Sequence, residues 1–106
     1  MAEENVEQEY LFLQQQLRNV LIQKEALKLQ IAEIDSALGE LEKCGDETVY
    51  KVIGNIMIKK KKDETEKELR ELKDNSQIKI NSLERIEKDL IERIRVLEAK
   101  LREKGD

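Results

Sequence analysis

The amino-acid sequence predicts a mainly α fold: a long antiparallel helical coiled-coil hairpin with a central β-hairpin that joins hairpins of other chains in one sheet or barrel. Three observations predict it. Apolar residues recur by threes and fours through both halves of the chain. Charged residues make up 42% and aromatic residues only 3%, with no Pro, a profile of long helices rather than of a globule around an aromatic core. One short β-branched stretch, VYKVIGNIMIK from Val49 to Lys59, interrupts the middle. The whole chain, residues 1–106, is expected to form a single domain.

The first helix is predicted over residues 5–44. Its apolar seam reads Tyr10, Leu13, Leu17, Val20, Leu27, Ile31, Ile34, Leu38 and Leu41, broken only by Lys24. A lone surface helix in a globule has no need of an a/d seam held over about five heptads; a coiled coil does. Asn5, with Gln8 three residues on, suits an N-cap, and Gly45 suits a left-handed residue that ends the helix. Such an element spans roughly 58 Å.

The β-hairpin is predicted over residues 48–60, turning at Gly54-Asn55, a dipeptide suited to a two-residue turn with positive φ. That turn pairs Ile53 with Ile56, Lys51 with Ile58 and Val49 with Lys60 on one face, and Tyr50 with Lys59 and Val52 with Met57 on the other. Both faces are therefore apolar, which a ribbon with one wet side does not require. Two strands cannot shelter their own faces, and their open edges invite more strands. Full burial of the apolar side chains would contribute on the order of 10–20 kcal/mol at roughly 1.5–3 each, about what ordering the backbone costs. Hairpins from several chains are therefore expected to join through Val49, Tyr50, Val52, Ile53, Gly54, Ile56, Met57 and Ile58.

The second helix is predicted over residues 63–103, with a capping-box-like start at Asp63-Glu64-Thr65-Glu66. Its seam is Leu69, Ser76, Ile80, Leu83, Leu90, Ile94, Leu97 and Leu101, interrupted by Glu66, Lys73 and Glu87. Acid-before-base pairs four apart, Glu66 with Arg70, Glu84 with Lys88, Asp89 with Arg93 and Glu98 with Arg102, read as a solvated helix face. Two helices of matching length around a short insert fold back on each other, because that buries both seams with the least loop. Lys24 then lies level with Glu84 and Glu87, predicting a polar layer that fixes register at some cost in stability, so that Lys24→Leu is expected to raise the melting temperature.

Several function classes are disfavoured. Acids outnumber bases by 24 to 20, so no global positive field draws the chain to nucleic acid or an anionic membrane. The run Lys59, Lys60, Lys61, Lys62 lacks accompanying Arg and stacking aromatics, and reads as the guard of a strand edge. Catalysis has no His, no Gly-rich phosphate loop and no activated nucleophile; Cys44 stands alone. No catalytic, cofactor-binding or metal-binding residues are therefore assigned, and no enzyme activity or cofactor is expected. The first ten residues, MAEENVEQEY, lack a basic start and an apolar core, and no apolar run approaches the roughly 20 residues that cross a bilayer. With one unpaired thiol, the expectation is a cytoplasmic protein.

Coiled coil, VYKVIGNIMIK with one hairpin, then a returning coiled coil: this arrangement resembles the β-type subunits of archaeal prefoldin over essentially the whole chain. The most specific match is Val49-Tyr50-Lys51 followed by a turn containing Gly54 and an apolar strand ending in Lys. The α-type subunits carry two hairpins, whereas Gly45 to Asp63 leaves room for one. The resemblance implies a hexamer of two α-type and four β-type subunits, whose hairpins build a double β-barrel platform bearing six coiled-coil arms. It further implies that such a complex holds unfolded proteins without ATP and passes them to a group II chaperonin.

On that reading the client-binding residues lie where the termini meet: Val6, Tyr10, Leu11, Phe12, Leu13, Leu97 and Leu101. Leu11 and Phe12 are off the seam and are expected to face outward, where exposed apolar side chains bind apolar segments weakly at one arm and tightly through several. Tyr10 and Leu13 also fit as seam core. The alternative is a structural coiled-coil assembly protein whose hairpin sets oligomer number without client binding.

Overall fold

In a computed structural model the chain forms four elements: α1 (Ala2–Lys43), β1 (Thr48–Ile53), β2 (Ile56–Lys61) and α2 (Lys62–Gly105). The structure describes residues 2–105, with side chains over 5–103. Two compact units result. One contains α1 up to Ala26 and α2 from Lys79 onward; the other runs from Leu27 to Ile78 and includes the β-hairpin.

In the first unit the predicted seams meet. Leu13, Val20, Leu90, Ile94 and Leu97 form one buried cluster, with Val6, Tyr10, Leu17 and Leu83 packed against it. The helices run antiparallel, since early α1 residues meet late α2 residues. Lys24 interrupts the seam and its ammonium pairs with Glu87, as the register predicted. The hydrogen bond to Glu87 holds the Lys24 ammonium above its ordinary pKa range, against the opposing effect of desolvation.

In the second unit Ile34 and Leu38 are buried on α1 and Ser76 on α2. The Ser76 hydroxyl donates to Gln30 Oε1 at 3.4 Å, and Lys73 Nζ lies 2.7 Å from Asp35. Seam positions here thus alternate between apolar packing and polar pairing, a pattern that favours one register over its neighbours.

The hairpin has the predicted register throughout, from Ile53 opposite Ile56 out to Val49 opposite Lys60, and one further pair, Thr48 opposite Lys61. Gly54 has φ of 58°, while no other residue type takes positive φ among the described residues. A positive value at the first turn residue alone is the sign pattern of a type II′ turn, whose twist matches the strands and which calls for Gly there.

Three helix-end expectations are corrected. α1 already contains Asn5, so Asn5 lies within the helix and does not cap it. Gly45 does not take the left-handed conformation. Instead the Cys44 amide is shared between the Glu40 and Leu41 carbonyls at 3.2 Å each, and the Lys62 ammonium donates to the Cys44 carbonyl at 2.8 Å. That places a cation on the negative end of α1, where both the free carbonyls and the helix dipole favour it. Asp63 is likewise inside α2, which begins at Lys62 without a side-chain cap. The Lys62 amide donates to the Glu47 carbonyl at 2.8 Å, so the hairpin ladder supplies an acceptor that a capping side chain would otherwise provide.

Of the four expected acid-before-base pairs on α2, Asp89 with Arg93 is the one that closes among the described residues, at 3.2 Å. Both side chains are more than half exposed, so its contribution is small. Among the described residues no helix is long and apolar enough to cross a membrane, and no group of three or more His, Cys, Asp or Glu is placed to hold a metal ion.

Candidate functional sites

The hairpin presents the first site. Val52 and Met57 are 65% exposed, Tyr50 and Ile56 60%, Ile53 51% and Ile58 42%. Val49 alone among the expected assembly residues is half-buried, at the base of the ribbon near α2. These side chains are bare because a two-stranded sheet has no second layer and the helices leave its turn end uncovered. Two of the four lysines that follow are occupied. Lys60 reaches Glu68, 2.8 and 2.6 Å from its two carboxylate oxygens, and holds that carboxyl below its ordinary pKa range, while Lys62 caps α1.

The second site is the end of the first unit that carries the termini. Leu11 is 64% and Phe12 61% exposed, as expected for positions off the seam. Leu13 and Leu97 are buried, and Val6, Tyr10 and Leu101 half-buried. Gln14 donates to the Tyr10 hydroxyl at 2.9 Å, pinning a ring that already packs on the core cluster. In the closed arm, therefore, Leu11 and Phe12 offer the open apolar surface; Leu13 and Leu97 become available only if the helices part.

A third feature was not legible from the seam. Taking the seam residues as positions a and d of the seven-residue repeat, Leu21 on α1 and Ile91 on α2 both fall at e, and Ile22 at f. They line an open groove of about 820 Å³ along one flank of the first unit, floored by Leu17 and Ile94 and rimmed by Arg18, Arg95, Glu25 and Glu98. Ile22 is 61% exposed. The usable signal was apolar residues at outer positions, where a two-helix coil ordinarily carries charge.

Two long antiparallel helices joined by a β-hairpin bare on both faces define the class of coiled-coil hairpin subunits. Comparison with known proteins narrows this. Residues 4–105 match the family described as "Prefoldin subunit". The chain is 43% identical over 90 residues to the prefoldin subunit beta of Archaeoglobus fulgidus, covering 84% of this chain and 78% of that one. It is 38% identical over 89 residues to that of Thermococcus kodakarensis, covering 83% and 76%. The crystal structure of the prefoldin beta subunit from Thermococcus strain KS-1 superposes with a TM-score of 0.83 at 33% identity, over 96% of this chain and 90% of that one. The beta2 subunit from the same strain shares the fold, with a TM-score of 0.71 at 20% identity, over 81% and 93%. The chain belongs to the prefoldin subunit family, a family of chaperone subunits rather than of enzymes.

Proposed function

We propose that this chain is a client-holding subunit of a prefoldin-like hetero-oligomer in the cytoplasm. It assembles through its hairpin with an α-type subunit and other copies of itself, captures unfolded polypeptides without ATP, and transfers them to a group II chaperonin. Neither nucleic acid nor membrane is a partner. The assembly contacts are Val49, Tyr50, Val52, Ile53, Gly54, Ile56, Met57 and Ile58. The client contacts are Val6, Tyr10, Leu11, Phe12, Leu13, Leu97 and Leu101, with Leu11 and Phe12 foremost.

The observation that carries client binding is the exposure of Leu11 and Phe12 on a helix whose seam is already filled by Leu13 and Tyr10. Neither side chain contributes to that core, so folding of the arm does not account for them, and apolar surface of this kind suits weak contacts multiplied over several arms. The test is suppression of aggregation of a diluted, denatured client by the complex with an α-type partner. Replacing Leu11 and Phe12 with Ser is expected to leave assembly intact and weaken suppression. Undiminished suppression removes both residues from the site. Absence of suppression by the native complex leaves the structural assembly role instead.

A further inference from the structure

We infer that the hairpin face carrying Lys59 and Lys61 is a charge-selective joint: it takes a β-strand of a different chain that sets carboxylates opposite those two lysines, in preference to a second copy of this chain. The inference rests on the reading of the hairpin as the assembly joint. From Thr48 to Lys61 the strands and turn carry four lysines, Lys51, Lys59, Lys60 and Lys61, and no Asp or Glu. The register sorts these lysines between the two faces. Lys60 stands opposite Val49, and Lys51 opposite Ile58, on one of them. There Val49, Lys51 and Lys60 line a cleft with Thr65, Glu68 and Leu69 of α2. Lys60 reaches both carboxylate oxygens of Glu68, and Lys51 adds to the positive field on the same carboxyl, so the charge of this face is answered from within the chain. The other face pairs Thr48 with Lys61, Tyr50 with Lys59 and Val52 with Met57. Lys59 and Lys61 are exposed, and neither ammonium has a carboxylate or hydrogen-bond partner among the described residues. Two free cations thus stand beside the bare side chains of Tyr50, Val52 and Met57.

Charge complementarity names the occupant. Directly opposed side chains on adjacent strands lie about 5 Å apart, where opposite charges support pairing and like charges oppose it. The outer edge of β2 is unpaired in this two-stranded sheet. Lys59 and Lys61, two apart on β2, share a face, so a strand added along that edge meets them with two residues that are also two apart. Asp or Glu at both positions neutralises both lysines and leaves the apolar side chains to pack. A second copy cannot do this, because no residue from Thr48 to Lys61 is acidic in any register. Asp46 and Glu47 precede the ladder and Asp63 follows it, so with the strands paired over their full length none of them comes level with Lys59. The same two lysines therefore guard the edge against copies and attract an acidic strand. A polyanion or an anionic bilayer spread over this end of the ribbon would also meet Asp46, Glu47, Asp63 and Glu64, which a strand confined to the ladder does not.

The experiment uses the full chain, alone and with an α-type subunit, as the native protein and as the variants Lys59→Gln/Lys61→Gln and Lys59→Glu/Lys61→Glu. A control, Lys67→Glu/Arg70→Glu, makes the same net charge change as the second variant on exposed positions of α2. Sedimentation and native mass across a series of NaCl concentrations give both association constants. Association of the native chain with the α-type subunit should weaken as salt rises, while its self-association holds or tightens. At low salt the Gln variant should bind the α-type subunit about fivefold more weakly and the Glu variant more than about tenfold, with the control nearly unchanged. A zero-length carbodiimide cross-linker, which joins an amine to a carboxylate in contact with it, should link Lys59 or Lys61 to Asp or Glu on a strand of the α-type subunit. Unchanged affinity in both lysine variants, the same salt response for both associations, or cross-links to acids of this chain alone each overturns the inference. So does binding to phosphatidylglycerol vesicles that depends on Lys59 and Lys61. In any of those cases Val52→Ser/Met57→Ser separates the two readings: if it disrupts assembly, the hairpin remains the joint without charge selection, and if it does not, both fall.

Discussion

Val52 and Met57 face each other across the hairpin and are each 65% exposed, so they make a sharp test of how the chain assembles. Fully burying such side chains contributes roughly 1.5–3 kcal/mol each. About two thirds of that remains available to a neighbouring chain, or about 1–2 kcal/mol per residue. Val52→Ser with Met57→Ser should therefore weaken association with an α-type subunit by about 2–4 kcal/mol, a rise of roughly thirty- to several-hundred-fold in the apparent dissociation constant. Native mass measurement and sedimentation across a concentration series read this directly. Circular dichroism should show unchanged helix, because neither side chain belongs to a seam. Leu29→Ser, which removes an equally exposed apolar residue from α1, should leave assembly unaffected. If the hairpin variant assembles with the native mass and midpoint, the bare ribbon is not the joint and the reasoning fails.

Other outcomes follow from the arms. Leu90, 4% exposed within the main cluster, should cost about 2–5 kcal/mol on replacement by Ala, seen in urea or thermal melts. Because Glu87 engages Lys24, the stabilising change at that layer is the double replacement Lys24→Leu/Glu87→Leu. Lys24→Leu alone strands a half-buried carboxylate and should gain less, or lose, in melting temperature. The lysine pKa is raised in the folded arm, so its contribution is fully present below the ordinary value of 10.5 and is lost as pH rises through the higher folded value; the double variant should lack that alkaline step. With Lys60 and Lys62 already engaged, filter binding at moderate salt should detect no saturable nucleic-acid complex; a steep salt slope with saturation would contradict this.

Much of the fold was legible because its signals are local or strictly periodic. Steps of three and four name the buried face of a helix whatever lies opposite, so Leu13, Val20, Ile34, Leu90 and Ile94 could be placed from spacing alone. Gly54 fixes the turn, the turn fixes the register, and the register places every side chain of the ribbon on a face. Even Lys24 with Glu87 followed from two seams of similar length meeting in antiparallel order.

What the sequence by itself determined, then, was which residues each element turns inward and the order in which the elements pair. The tertiary structure decided what closes the element ends and what lies beside the seam. Lys62 rather than Gly45 caps α1, and the Glu47 carbonyl rather than Asp63 receives the first amide of α2, because both depend on where the hairpin ladder delivers the chain. The Leu21–Ile91 groove arises in the same way, from the rotation and stagger that bring two outer positions of separate helices together. A periodic pattern carries the direction of a side chain on its own helix, but the distance between side chains on different helices exists only once those helices have packed.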